Sequence, residues 1–369
     1  MRVHPKQLIP GCLILKDVMG KTVHPIIPRN SVVEPIHISV LHKFQVPYVE
    51  VATKLVNGDP FKVDTSVEAI EKEDQEKQQE ESETVSWSFF DYYVDRVKKT
   101  KELFEGWNKQ STLNISYIRE LLFPLIQIGE NLPKVLLELH HYTNKQDYFF
   151  HHIVATPVIA AFLAKKMKYD KNERFQIALA AYLSDLGMLM EEKHLYFKDG
   201  VLTEEEYERV QKHPILSYRL IDDLPYVSKN VKLGVLQHHE RLDGSGYPLG
   251  VMNEKIHPFA KIIAVSDIFH AMTSERFYRK KQSPFKVIEE LLNRQFGKLD
   301  MKIVDTLVDS IVFFSSGTKV RISNNETGTI VFIDQKNPTR PLIRLDSTQE
   351  IFNLNEHSDL YIDEVLMKD

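Results

Sequence analysis

The sequence predicts a mainly α-helical protein with a small β-containing unit at each end. Three observations predict this. Apolar residues recur at helical spacing from Val85 to about Phe314. Residues 315–369 switch to short β-rich runs separated by turn residues. Residues 1–60 mix strand-like runs with one helix-like segment.

Taken in order, Val18-Met19-Gly20-Lys21-Thr22-Val23 reads as a hairpin turn between strands. Pro35 to Phe44 reads as a short helix begun by proline, and Tyr48 to Val51 as a strand. Residues 61–84 form an acidic linker, since Glu68 to Glu83 carries almost nothing apolar after Ile70. Residues 85–140 read as a helical connector, in which Phe89, Tyr93, Val97 and Phe104 share one face. Residues 141–314 form the main helical domain. Val154 to Met167, Phe175 to Met190 and Phe259 to Met272 are apolar enough for helices buried on most sides. Thr203-Glu204-Glu205-Glu206 has the spacing of a capping box, with Lys198-Asp199-Gly200 as the turn before it. Thr318–Ile322, Thr329–Ile333, Leu342–Leu345 and Ile351–Leu354 predict strands of a small antiparallel, barrel-like unit. Turns at 324–328 and 334–338 join the first three.

The chain has 369 residues, 43% hydrophobic and 27% charged, an ordinary balance for a protein with a full core. A net charge of -5 gives no general reason to expect DNA. A lone cysteine, Cys12, allows no internal disulfide and suits a reducing cytoplasm. The start of the chain does not read as a signal peptide, and no stretch is expected to span a membrane.

Two carboxylates sit in apolar surroundings. Asp185 interrupts Ile177–Leu183 and Leu186–Leu189, and Asp267 interrupts Ile262–Val265 and Ile268–Phe269. A buried carboxylate without a partner costs several kcal/mol, so each needs a cation, a cap or a metal ion. His151, His152, His213, His238 and His239 fall in the same helical region. Imidazole with carboxylate suits Fe, Mn, Zn or Ni rather than Ca or Mg. The donors outnumber what one ion takes, which points to two ions sharing a bridging aspartate. Glu240 and Asp243 read either as acceptors orienting ligand histidines or as turn residues. His257 and His270 show no partner in the sequence and read as structural.

From Tyr148 to about Leu292 the chain resembles the HD-GYP proteins. These are a branch of the HD-domain phosphohydrolases that hydrolyse the bacterial second messenger cyclic di-GMP. His152 matches the first histidine of that family, and His213-Pro214 the next. Ser184-Asp185-Leu186-Gly187-Met188 matches its His-Asp-x-Gly-Lys motif with two departures, Ser184 and Met188. His238 to Pro248 matches the namesake run, and Ser266-Asp267 with Arg276-Phe277-Tyr278-Arg279 matches the last motif.

The resemblance implies an HD-domain helical bundle and a division of labour. One ion would take His152, Asp185 and Asp267, with Ser184 failing as a ligand. A second would take Asp185, His213, His238 and His239, a complete set. Tyr148 stands where three-ion members carry a glutamate, which limits the centre to two ions. Asp185 would be the catalytic residue; Arg276 and Arg279 would hold ligand phosphates. Gly246 and Tyr247 would shape the entrance, the glycines letting backbone approach a ligand. The expected cofactor is Fe or Mn, one or two ions per chain. The expected ligand is cyclic di-GMP or a related cyclic dinucleotide, with a protein partner and a homodimer as further options. Losing one preorganised donor costs about 10²–10³ in rate. The expectation is therefore a metal- and ligand-binding protein with impaired or lost hydrolysis, the alternative being an active metal-dependent phosphodiesterase.

Overall fold

The computed structural model describes the chain except for residues 20–24, 36, 39–40, 42–45, 47, 62–88, 108–111, 191–194, 196–197, 199, 277–280, 295–296, 313–315, 335–336 and 367–369. The chain divides into two units, Met1–Ser86 and Trp87–Asp369. In the first, β1 (Arg2–Val3) pairs antiparallel with β4 (Val49–Glu50). A hairpin joins β2 (Val18–Met19) to β3 (Pro25–Ile27). Its turn, most of the expected Pro35–Phe44 helix and nearly all of the acidic linker lie outside the described residues. Ile14, Ile27, Val33, Leu41, Val49 and Val51 form the core of this unit, with buried Cys12 among them.

The second unit starts with α1 (Phe89–Glu105), which buries Phe89, Tyr93, Val97 and Phe104, the face its spacing predicts. Next come α2 (Ile115–Gly129), begun by Asn114 accepting from the Tyr117 amide, and the short α3 (Val135–Glu138). α4 (Tyr148–Lys166) is apolar all round and buried from Tyr148 to Ala164. It packs against α1, α2, α5 (Lys171–Leu183) and α9 (Pro258–Thr273). Among the described residues α4 alone is long and apolar enough to cross a bilayer, a length the sequence reading did not credit. With 94% of its 18-residue apolar stretch buried inside the protein, it is a core helix.

A capping box of Asp170 and Glu173 starts α5. The expected helix over Phe175–Met190 breaks at Ser184, and Leu186–Leu189 turns as a 3₁₀ helix. Tertiary contacts cause the break. The Ser217 hydroxyl donates to the Ser184 carbonyl (2.5 Å) and accepts from the Gly187 amide (2.7 Å). A Cβ on Gly187 would lie 2.2 Å from the His213 carbonyl oxygen and 2.7 Å from the Ser217 nitrogen. Gly187→Ala is therefore expected to lower stability by about 1–3 kcal/mol through overpacking. Urea unfolding reads this, and an unchanged midpoint would contradict it.

α6 (Glu204–Val210) begins with the predicted capping box of Thr203 and Glu206. α7 (His213–Asp222) carries Pro214 in its first turn, where no amide partner is needed. α8 (Lys229–Gln237) is capped by Ser228, and α9 by His257, whose ring accepts from the Phe259 amide. That cap gives His257 its structural role. α10 (Pro284–Arg294) and α11 (Met301–Ile311) close the helical body.

The terminal strands are β5 (Lys319–Ile322), β6 (Thr327–Phe332), β7 (Leu342–Leu345), β8 (Ile351–Asn353) and β9 (Ile362–Leu366). They form one antiparallel sheet in the order β8-β7-β6-β5-β9. The expectation of a barrel is corrected: β8 and β9 are the two edges, and no pairing between them closes the sheet among the described residues. Val320, Ile322, Ile330 and Ile343 join the helical core, and the Ser283 hydroxyl donates to the Ile362 carbonyl at 2.6 Å.

Candidate metal centre

Three helices and the turns after two others bring the imidazoles and carboxylates together. α4 supplies His152, the bend after α5 supplies Asp185, and α7 opens with His213. His238 and His239 directly follow α8, and Asp267 projects from α9. The facing atoms of Asp185, His213, His238 and His239 all lie within 4.8 Å of one another, as do those of His152, Asp185 and Asp267. Asp185 belongs to both groups. All six predicted metal residues thus converge, and His151 does not join them: its ring faces the Tyr93 hydroxyl at 3.0 Å.

The hydrogen bonds decide which ring nitrogens are bare. His213 Nδ1 lies 2.7 Å from the Val210 carbonyl, and His238 Nδ1 lies 2.7 Å from the Val235 carbonyl. A carbonyl only accepts, so each Nδ1 carries the proton and donates it. In the neutral rings both Nε2 atoms are then lone pairs, and they face each other at 3.2 Å. An Asp185 oxygen lies 3.3 Å from His213 Nε2. Three acceptors turned on one point need a cation between them, and imidazole with carboxylate is the donor set of Fe, Mn or Zn. The residues present fit such an ion.

Electrostatics agree with this reading. Burial pushes His213 down to about 4, and it holds His239 well below the ordinary imidazole range, with His238 adding to both effects. These rings stay neutral at neutral pH, as a ligand must. His152 behaves oppositely. Burial lowers it, but hydrogen bonds and charge from Asp185 (3.4 Å) and Asp267 (2.8 Å) outweigh burial and raise it to about 9. Burial would raise both carboxyls; the His152 hydrogen bond and charge hold each below the ordinary carboxylate range.

Ser184 turns away from the centre, its hydroxyl donating to the Ala180 carbonyl at 2.7 Å. Met188 is buried and lines a cavity of about 360 Å3 that opens onto the centre. Lys145, Arg241 and Arg276 bring cations to the same cavity, beside Tyr148, Tyr207 and Tyr247. The Arg276 guanidinium lies over the Tyr148 ring, 4.5 Å from its centroid. Arg279 lies outside the described residues. Lys145 and Arg241 were not singled out in the sequence, although Arg241 stands inside the namesake run. Lys198 pairs with Glu206 at the capping box.

Tyr247 lines the cavity, and Gly246 beside it is closely packed. A Cβ on Gly246 would fall 2.4 Å from the Arg241 nitrogen and 2.5 Å from the His239 carbonyl oxygen. The glycine lets the loop fold closely onto its own chain. Glu240 braces that fold by accepting from the Leu249 (2.7 Å) and Val251 (3.1 Å) amides, and Asp243 accepts from Ser245. Both residues serve the loop rather than the histidines. The Tyr247 ring packs on His239, centroids 4.7 Å apart.

Comparison with known proteins agrees with the geometry. Residues 125–303 match the family described as HD domain. The chain is 28% identical over 215 residues to the cyclic di-GMP phosphodiesterase PdeB of Borreliella burgdorferi, covering 58% of this chain and 56% of that protein. It is 30% identical over 199 residues to a cyclic di-GMP phosphodiesterase of Pseudomonas aeruginosa, covering 54% of this chain and 48% of that protein. The chain thus spans about half the length of these curated relatives. The solved structure of Bd1817, an HDG"Y"P protein of Bdellovibrio bacteriovorus, shares the fold with a TM-score of 0.51 at 16% identity, over 84% of this chain and 98% of that one. Residues 125–303 thus match the HD-domain family, and these similarities support the resemblance to the HD-GYP proteins.

Proposed function

We propose that this protein acts in cyclic dinucleotide signalling as a metal- and ligand-binding HD-GYP-type domain whose phosphodiester hydrolysis is impaired or lost. Asp185, His213, His238 and His239 would hold one ion; His152, Asp185 and Asp267 would hold a second more weakly. Bound there, Fe or Mn supplies an activated water and neutralises phosphate charge. A cytoplasmic location goes with this reading.

The observation that carries the proposal is the contrast within one site. The first donor set is complete and its bare nitrogens converge, whereas the Ser184 hydroxyl is committed to Ala180 and Met188 presents no charge to the cavity. Substrate phosphate would be held by Arg276, whose fork of donors suits it, with Lys145 and Arg241 adding positive charge. Tyr148 and Tyr247 offer aromatic faces to the bases at the same opening. Exclusion of water falls to Met188, Leu195 and Ile268 in the cavity wall.

Calorimetric titration of Mn-loaded protein with cyclic di-GMP tests the proposal, with chromatography of the same samples for the linear product. Binding with slow or absent turnover is expected. Arg276→Ala should weaken binding about 10–100-fold, the worth of one or two charge-assisted bonds. Absence of binding at saturating metal would overturn the proposal. Fast turnover by the unaltered protein would favour the active phosphodiesterase, a reading that the three cavity cations support.

A further inference from the structure

We infer that His270 is the positioning residue of the weaker ion site: it sets the tautomer and ring direction of His152. This inference rests on the reading that His152, Asp185 and Asp267 hold a metal ion. His270 stands one turn after Asp267 on α9 and is 1% exposed. Its Nδ1 lies 2.9 Å from His152 Nδ1, and its Nε2 lies 3.2 Å from the hydroxyl of Ser274, itself fully buried. The chain of contacts therefore runs from Ser274 through His270 and His152 to the carboxylates.

Two nitrogens at that distance share one proton, and its owner decides what the far side of His152 can do. Suppose His152 Nδ1 donates. His152 Nε2 then faces Asp185 and Asp267, and an ion bound there would take the place of the Nε2 proton that these carboxylates hold in the metal-free protein. His270 Nδ1 accepts, and its remaining proton sits on Nε2 and goes to the Ser274 hydroxyl. Every ring nitrogen then has a use. Suppose instead that His270 Nδ1 donates. His152 must then carry its proton on Nε2, against the Asp267 oxygen 2.8 Å away, where it stands in the place of an ion. The other neighbour of His152 Nδ1 is the Tyr148 hydroxyl at 3.3 Å, a longer contact that can donate only in this blocked form. The contact to His270 is the shorter of the two and favours the form ready for an ion, in which the Ser274 hydroxyl, able to accept as well as donate, completes the chain. The task is the one carboxylates and carbonyls usually perform behind a metal-bound histidine. Val210 and Val235 perform it here for His213 and His238.

The test compares the full chain with His270→Leu and His270→Asn by calorimetric titration with Zn(II). Metal-saturated samples are also read by nitrogen-15 NMR of labelled histidine. The leucine variant should bind one ion about 10–100-fold more weakly, with the second ion unchanged. It should also lose the hydrogen-bonded Nδ1 proton signal of His152. The asparagine variant, whose amide oxygen accepts, should recover affinity to within a few-fold. If leucine at 270 prevents folding, Ser274→Ala takes its place, with a smaller loss at the same ion expected. Unchanged affinity in a folded variant, or equal loss of both ions without rescue by asparagine, would overturn the inference. Absence of bound ion in the unaltered protein would instead sink the metal-site reading on which it rests.

Discussion

Replacing Asp185 by alanine is expected to empty the metal centre. Asp185 is the one residue in both donor groups, with one oxygen 3.3 Å from His213 Nε2 and the other 3.4 Å from His152 Nε2. Its loss leaves three imidazoles in one group and a single His-Asp pair in the other. The drop in affinity should exceed the about 10–100-fold typical of an outer partner, because a direct charged ligand is gone. The metal-free protein should suffer too. His152 is protonated there at neutral pH, and removing one partner of a buried ion pair costs about 3–5 kcal/mol. Asp267 still meets His152, so the lower end of that range is expected. Elemental analysis of purified protein and urea unfolding of the chelated form measure the two effects. Asp185→Asn keeps the shape and separates charge from packing. Retention of metal by the alanine variant would contradict the assignment of Asp185 as the shared ligand.

The second large effect runs the other way. Ser184→His with Met188→Lys is expected to raise hydrolysis of cyclic di-GMP by about 10²–10³ or more, the value of a preorganised donor aimed at developing charge. Met188 already faces the cavity, so a lysine there reaches the phosphate region with little rearrangement. Ser184 is harder. It is 1% exposed and bonded to Ala180, so an imidazole must displace neighbours at a cost of about 1–3 kcal/mol. Met188→Lys alone should therefore give part of the gain with less loss of stability. Chromatography of the linear dinucleotide over time reads the result. A double variant that binds metal and nucleotide yet gains nothing would show that these two departures do not limit hydrolysis.

Much of the centre was legible because its residues are out of place in their local setting. A carboxylate inside Leu-Ser-Asp-Leu or Val-Ser-Asp-Ile is conspicuous in one dimension, and so is a His-His pair at the end of a helix. What escaped depends on partners distant in the chain. His270 is one histidine on an apolar helix until His152, 118 residues away, lies against it. Spacing of three from Asp267 was the one available hint. The break at Ser184 has no local breaker; Ser217 and the close approach at Gly187 impose it from another helix. β9 was missed because Ile-Asp-Glu-Val-Leu carries two adjacent carboxylates, and its pairing with β5 spans some forty residues of chain. At Gly246 the need for close approach is visible in the sequence, but the backbone of Glu240 and Arg241 that it approaches is not.

Anomalous diffraction at the metal edge, from crystals of protein purified with Mn or Fe, tests the central claim most directly. The account predicts a peak within coordination reach of Asp185, His213, His238 and His239, with a second, weaker peak beside His152 and Asp267. Electron density free of any anomalous peak at those residues, with metal in excess, would contradict it.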